Sequence, residues 1–203
     1  MHNDVKVVNY DRHVCGYDPK MATESLAPVL LVSMPQMLDP NFHKSVVLLA
    51  EYGAGGAFGL VVNRQMDEPA RSVVTSDKPL DIHPSLHLFT GGPVEPTRAW
   101  ILTANRDIDG DALEVADGVY LSASPALVRQ VLEQPPDPSV RMVVGYAGWG
   151  AGQLDVELAE SSWLMAPVQP DLIFEVPLDQ MWETAIRRLG AEPSMLQGSS
   201  GVH

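Results

Sequence analysis

Cysteine is all but missing from this chain: Cys15 is the only one in 203 residues. No intramolecular disulfide can form, so the fold must rest on its own core, as in a reducing compartment. Basic residues are also scarce, with 13 Lys and Arg against 26 Asp and Glu and a formal net charge of −13 at pH 7. That balance opposes non-specific attachment to nucleic acid, which needs cations to displace phosphate counterions. The acidic residues are spread along the chain rather than gathered in a tail, so they read as solvating charge. No apolar run approaches the length of a bilayer span, and the first twenty residues lack the apolar stretch of a secretory signal. These absences predict a cytoplasmic protein with no membrane association and no direct nucleic acid contact.

Apolar residues make up 45% of the chain and charged residues 19%, enough for a sizeable core without disulfides or metals. Residues 1–24 are polar and irregular and read as a weakly ordered extension. Within them Cys15, beside Asp11, Arg12, His13 and Asp18, reads as an incidental thiol rather than a redox switch. Residues 25–190 read as one domain, and 191–203 as a small, polar tail that frays. Apolar runs predict strands over Val29–Val32, Ser45–Leu49, Phe58–Asn63, Leu86–Phe89, Ala99–Thr103, Leu113–Ala116, Val119–Ser122, Val140–Val144 and Leu172–Val176. A short helix is expected after Pro69. A second follows the cap Ser124 and Pro125, with Leu127, Val128, Val131 and Leu132 on its apolar face. Helices are also expected over Gln153–Glu160 and Gln180–Leu189, the last capped by Asp179 and ended by Gly190. Trp163–Val168 reads as an apolar linker. Strands outnumber helices, which are scattered among strand pairs, so the fold class is α/β (α+β).

The richest stretch is RMVVGYAGWGAGQLDVELAESSW, from Arg141 to Trp163. Its glycines at 145, 148, 150 and 152 carry Tyr146 and Trp149 and lead into an acidic helical pattern. Strand, glycine turn and helix in that order can hold an anion at a helix N-terminus. Asp155 and Glu157 in the first turns oppose that, so a tight corner where backbone and Trp149 pack is the favoured reading. The glycines from Gly53 to Gly59 lack the Lys-Ser/Thr of a phosphate loop and read as a hairpin. His83 and His87 lie four apart near Asp81. Pro84 between them breaks a helical face and no HExxH pattern exists, so no metal is expected. NRDIDGD at 105–111 has its glycine too early for a calcium loop.

Taken together, LLVSMPQMLDPNFHKSVVLLAE, GAFGLVVNR, GGPV, GYAGWGAGQLDVEL and SSWLMAP occur in an order that resembles the YqgE/AlgH family of bacterial proteins across about residues 26–190. The resemblance implies a single domain with a mixed, strongly curved or barrel-like β-sheet flanked by helices. The family has no settled biochemical activity. One branch is described as a regulator of alginate production, and many members are filed as transcriptional regulators. Redox sensing is suggested for members with a cysteine in the second strand, but here that position falls on Ala50. Direct DNA reading is also disfavoured, because no helix-turn-helix pattern exists and Arg187–Arg188 is the only adjacent basic pair.

The expected function is therefore a non-enzymatic regulatory or interaction protein acting through a protein partner of unknown identity, with oligomeric state left open. The alternative is a small-molecule-sensing domain. Its candidate lining is Tyr146, Trp149 and Gln153, joined by Asn63, Arg64 and the Gly91–Gly92–Pro93 turn. Those residues can equally serve backbone geometry and packing. A hydrolase-type enzyme ranks last: there is no GxSxG elbow, Ser161 and Ser162 have no evident His partner, and nothing fixes His43 as a base. No catalytic residue and no cofactor is expected.

Overall fold

The structure, a computed structural model, describes residues 5–6, 26–76 and 79–197. The readings of the extension around Cys15 and of the tail beyond residue 197 lie outside the described residues. In chain order the elements are β1 (Val5–Lys6), β2 (Val29–Ser33), β3 (Val46–Gly53), β4 (Gly56–Val61), β5 (Gln65–Pro69), α1 (Ala70–Val73), β6 (Val74–Thr75), β7 (His87–Thr90) and β8 (Val94–Thr103). A 3-10 turn (Arg106–Ile108) precedes β9 (Leu113–Ala116), β10 (Val119–Ser122) and α2 (Pro125–Glu133). The remainder is β11 (Val140–Gly150), α3 (Gln153–Ala159), β12 (Trp163–Ala166), α4 (Pro170–Phe174), α5 (Leu178–Arg188) and α6 (Pro193–Gln197).

Ten strands form one mixed sheet whose main path runs β12-β2-β3-β4-β11-β8-β10-β9, curled into a half-barrel. Most neighbours are antiparallel, while β7 joins β11 in parallel. β1 and β6 form a separate parallel pair. The buried stretches of the central strands, Leu30–Val32, Val46–Leu49 and Leu60–Val62, are apolar at every position because both faces are covered. Leu30, Val32, Val46, Leu48, Leu60 and Val62 point into the cluster under α4 and α5. Their neighbours Leu31, Val47, Leu49 and Val61 point to the opposite cluster with Trp149, Leu154 and Trp163. A third cluster joins Leu127, Val128 and Leu132 of α2 to Ile101, Met142 and Val144 of the sheet. The Ser124 hydroxyl caps α2 by accepting from Leu127 N at 3.4 Å, and Pro125 opens it. Gly53 pairs with Gly56 across the β3–β4 hairpin, as the glycine run predicts.

Four expectations need correction. The glycine stretch is not a turn: β11 continues unbroken through it to Gly150, and only residues 151–152 turn. Its glycines remove side chains from a strand that other backbone must approach. Trp163–Ala166 is not a linker but the edge strand β12, paired with β2. Leu172–Val176 is not a strand: Pro170 starts α4, and the buried pair Leu172–Ile173 packs one helical face into the main core. Asp179 does not cap α5. Pro177 stands at the N-cap without a side-chain bond, and Asp179 falls in the first turn, where its charge complements the helix dipole. In α3, Val156 and Ala159 face solvent, and only Leu154 is buried.

Candidate functional site

β11 is the strand on which the rest of the sheet changes partner. Its first half lies between β7 and β8, and beyond Gly145 it pairs with β4. The switch requires backbone at van der Waals contact. A Cβ on Gly91 would stand 2.4 Å from Gly145 O, and one on Gly145 would stand 2.5 Å from Gly92 O. Gly145 also has φ 72°, a left-handed conformation that disfavours any side chain. Gly91 N donates to Val144 O, and Gly91 O accepts from Val61 N, both at 2.8 Å. The GGPV and GYAG motifs thus meet as a backbone lock between three strands, with Pro93 at the exit.

Alternation along β11 separates the two aromatics. Tyr146 joins Phe58 and Trp100 at the edge of the main core, with the Phe58 ring centre 5.1 Å away and Glu95 Oε1 3.5 Å from its hydroxyl. Trp149 lies on the opposite face, 6% exposed, with Phe42 stacked on it at 6.2 Å and Trp163 edge-on at 6.0 Å. The Trp149 and Trp163 indoles both donate to Glu157 Oε2, at 2.9 and 2.8 Å. Gln153 donates to Glu157 Oε1 at 2.9 Å and accepts from Gly150 N at 3.1 Å. One α3 carboxylate therefore ties together the strand, the turn and β12, and the space beside Trp149 is filled by Phe42 and Trp163.

Asn63 and Arg64 lie elsewhere. Asn63 accepts from Val46 N and donates to Lys44 O, both at 2.9 Å, holding the chain entering β3 against the chain leaving β4. Arg64 donates to Pro40 O at 2.6 Å and His43 O at 2.8 Å, pinning the loop before β3. Partial burial lowers its guanidinium pKa below the ordinary arginine value, with Asp39 opposing. Both residues line an open cleft of about 660 Å³. Lys44, Gln65, Asp67 and Thr90 complete one side, and Leu178, Asp179, Trp182 and Glu183 form the α5 side. Lys44 Nζ lies 5.4 Å from the Trp182 ring centre, whose indole donates to Ser33 O at 2.8 Å. Of the sequence-derived set, the structure brings Asn63 and Arg64 together here. The glycine lock, the Tyr146 cluster and the Trp149–Gln153–Glu157 group form three separate packing arrangements.

Sequence reading missed the α5 wall because its residues are over a hundred positions from Asn63. It also missed Arg141, the only charged residue among the described ones that is buried, at 5% exposed. The signal was present: one cation interrupts the apolar run Val140–Val144. Among the other candidates, His43 is exposed and its Nδ1 donates to Met37 O at 3.0 Å. His83 and His87 each engage Ser85 backbone through Nδ1, at 3.3 and 3.2 Å. No group of three His, Cys, Asp or Glu side chains suited to a metal occurs among the described residues. None of the described helices is long and apolar enough to cross a membrane.

Comparison with known proteins agrees with this architecture. The family model DUF179, described as AlgH-like, matches residues 30–194. A UPF0301 protein of Anaeromyxobacter dehalogenans is 36% identical over 205 residues, covering 91% of this chain and 98% of the relative. One from Vibrio cholerae is 34% identical over 181 residues, covering 84% and 95%. The solution structure of the AlgH protein from Pseudomonas aeruginosa superposes with a TM-score of 0.66 at 28% identity, over 94% of this chain and all of that one. With the curled half-barrel, the glycine lock and the signature stretches all in place, the chain belongs to the AlgH-like UPF0301 family.

Proposed function

We propose that this protein is a non-enzymatic regulatory or interaction module that receives a polar segment of a protein partner in the cleft between β5 and α5. The observation that carries the reading is unspent charge of both signs. Arg98–Glu95 at 3.1 Å and Arg188–Asp171 at 2.7 Å are ion pairs away from the cleft, and on its rim Arg187 holds Glu183 at 2.8 Å. In the cleft, the Lys44, Asp67 and Asp179 side chains make no ion pair or hydrogen bond with described residues. Unpaired charge around a concavity gives a partner register and specificity. Lys44, Gln65, Asp67, Thr90 and Asp179 are exposed, so the cleft is a surface trough suited to a length of chain.

The test compares immobilised wild-type protein with a Lys44→Glu/Asp67→Lys/Asp179→Lys variant of native circular dichroism, each exposed to bacterial extract. A protein retained by the wild type and lost by the variant is expected. Equal retention of every protein by both overturns the reading. Small-molecule sensing is the second reading, favoured by a volume of about 660 Å³, which falls within the range of ligand pockets. A thermal-shift screen with nucleotides and metabolites tests it, and a flat response across the set retires it.

A further inference from the structure

The main path of the sheet ends at two strands, β9 and β12, and the two ends differ. β9 carries an exposed Glu114 and a register shift against β10, both of which discourage the addition of a further strand. β12 has neither a charge nor a bulge, and the run SSWLMAPVQP at 161–170 contains no charged side chain in a chain of net charge −13. The ladder fixes which backbone groups are left over. Met34 N donates to Ser162 O and Ser33 N donates to Ser45 O, both at 3.0 Å, so the even-numbered residues of β2 bond toward β12 and the odd-numbered ones toward β3. With Trp163 opposite Ser33, Leu164 and Ala166 bond to β2, and the N–H and C=O of Trp163 and Met165 point away from the sheet. No described residue bonds these outward groups. The Met165 side chain is 49% exposed on the face that also carries Trp163, while Leu164 is half-buried against the main core.

We propose that β12 pairs with β12 of a second copy of this chain, antiparallel about a two-fold axis at Leu164, so that two sheets become one. The occupant is a second copy because the edge is its own complement. The outward groups lie one residue to either side of Leu164, so Trp163 stands opposite Met165 of the other copy and each such pair exchanges both of its N–H···O bonds. Neighbouring registers fail. Centring on Met165 sets Trp163 against Pro167, which has no N–H, and centring on Trp163 sets Met165 against Ser161, which has left the strand with φ 56°. The faces match as well, since directly opposed residues of an antiparallel pair share a side of the sheet. The exposed Met165 is thereby laid beside Trp163 of the other copy, a favourable sulfur–aromatic pairing, and Leu164 beside its own equivalent. Two strongly acidic molecules also repel least where they meet through an uncharged run. No residue of β12 lines the cleft, so this inference goes beyond the partner reading and stands apart from it.

Sedimentation equilibrium of the full chain between about 5 and about 500 µM is expected to show a monomer–dimer equilibrium. Met165→Pro removes an outward N–H without touching a bond to β2, and Met165→Lys places a cation on the edge. Each should weaken the dimer at least tenfold, and if Met165→Pro fails to fold, Met165→Lys decides. Hydrogen exchange supplies the second measurement. The Met165 amide should be unprotected in dilute protein and protected in concentrated protein, with the Leu164 amide protected in both. A dimer that both folded variants leave unweakened overturns the inference. Equal protection of the Met165 amide at the two concentrations also overturns it, because the edge is then covered by its own chain. A monomer at every concentration, with the Met165 amide exchanging freely, overturns it in favour of a strand from a different protein. Loss of the dimer in the edge variants, with the charge-reversed cleft still dimeric, upholds it whatever the fate of the partner reading.

Discussion

Replacing Glu157 tests what the longest motif in the chain is for. Its carboxylate accepts from two indoles and one amide, at 2.8 to 2.9 Å, and both tryptophans are buried. Hydrogen bonds to a charged acceptor contribute about 1.5–3 kcal/mol each, roughly twice a neutral one. Glu157→Gln keeps one acceptor oxygen for the indoles, halves the strength of each bond and turns an amide toward Gln153. Because Glu157 is only half-buried, solvent offsets part of the loss, and about 2 kcal/mol of destabilisation is expected. For a chain of this length that lowers Tm by roughly 4–8 °C. Glu157→Ala strands both indole N–H groups and should cost about 3–4 kcal/mol. Urea unfolding followed by tryptophan fluorescence gives the free energy, and the exchange rates of the two indole protons locate it. A Gln variant within about 0.5 kcal/mol of wild type, with Trp149 and Trp163 indoles still protected, would refute the claim that this carboxylate joins β11 to β12.

Two further perturbations test other parts of the fold. Gly92→Ala places a Cβ 2.3 Å from both Tyr146 C and Tyr146 O, against backbone that cannot yield, and at φ 150°. It should cost more than about 3 kcal/mol, read as a loss of soluble protein or a fall in Tm beyond about 6 °C by circular dichroism. The Arg188 guanidinium, bonded bidentately to Asp171 at 2.7 and 3.1 Å, holds that carboxyl below the ordinary aspartate value. A lowered carboxyl pKa contributes stability that is complete above the unfolded aspartate pKa and is lost as pH falls through the folded one. Arg188→Gln should therefore differ from wild type in urea midpoint at pH 6 and converge with it near pH 2. A difference that persists in acid would assign the effect to packing instead.

Much of the fold was legible because its signals are local. Ser124–Pro125 marks the start of α2 through one hydroxyl and one ring, and the doubly apolar β3 declares that both its faces are covered. The misreadings share a different cause. Leu172–Val176 has a strand's apolar run, and its helical state depends on Pro170 and on a core that the sequence does not display. The glycines of β11 have turn chemistry, yet they sit in a strand because Gly91 and Gly92, over fifty positions away, need the room. Asn63 and Arg64 line a cleft, but that cleft exists only once α5 is laid against them.

The same distinction separates packing from function in this molecule. The motifs that draw the eye in the sequence are spent: Gly91, Gly92 and Gly145 on one another, Trp149 and Trp163 on Glu157, Asn63 on the backbone of Lys44 and Val46. A residue whose hydrogen bonds and volume are fully consumed inside the fold has little left to offer a ligand. Less conspicuous in the sequence are the charges of Lys44, Asp67 and Asp179 on the cleft walls, which form no ion pair or hydrogen bond with described residues. Being exposed, they are hydrated in the isolated chain and remain available to groups of opposite charge on a partner. That availability is the physical reason to look for the partner there and not at the glycine-aromatic stretch.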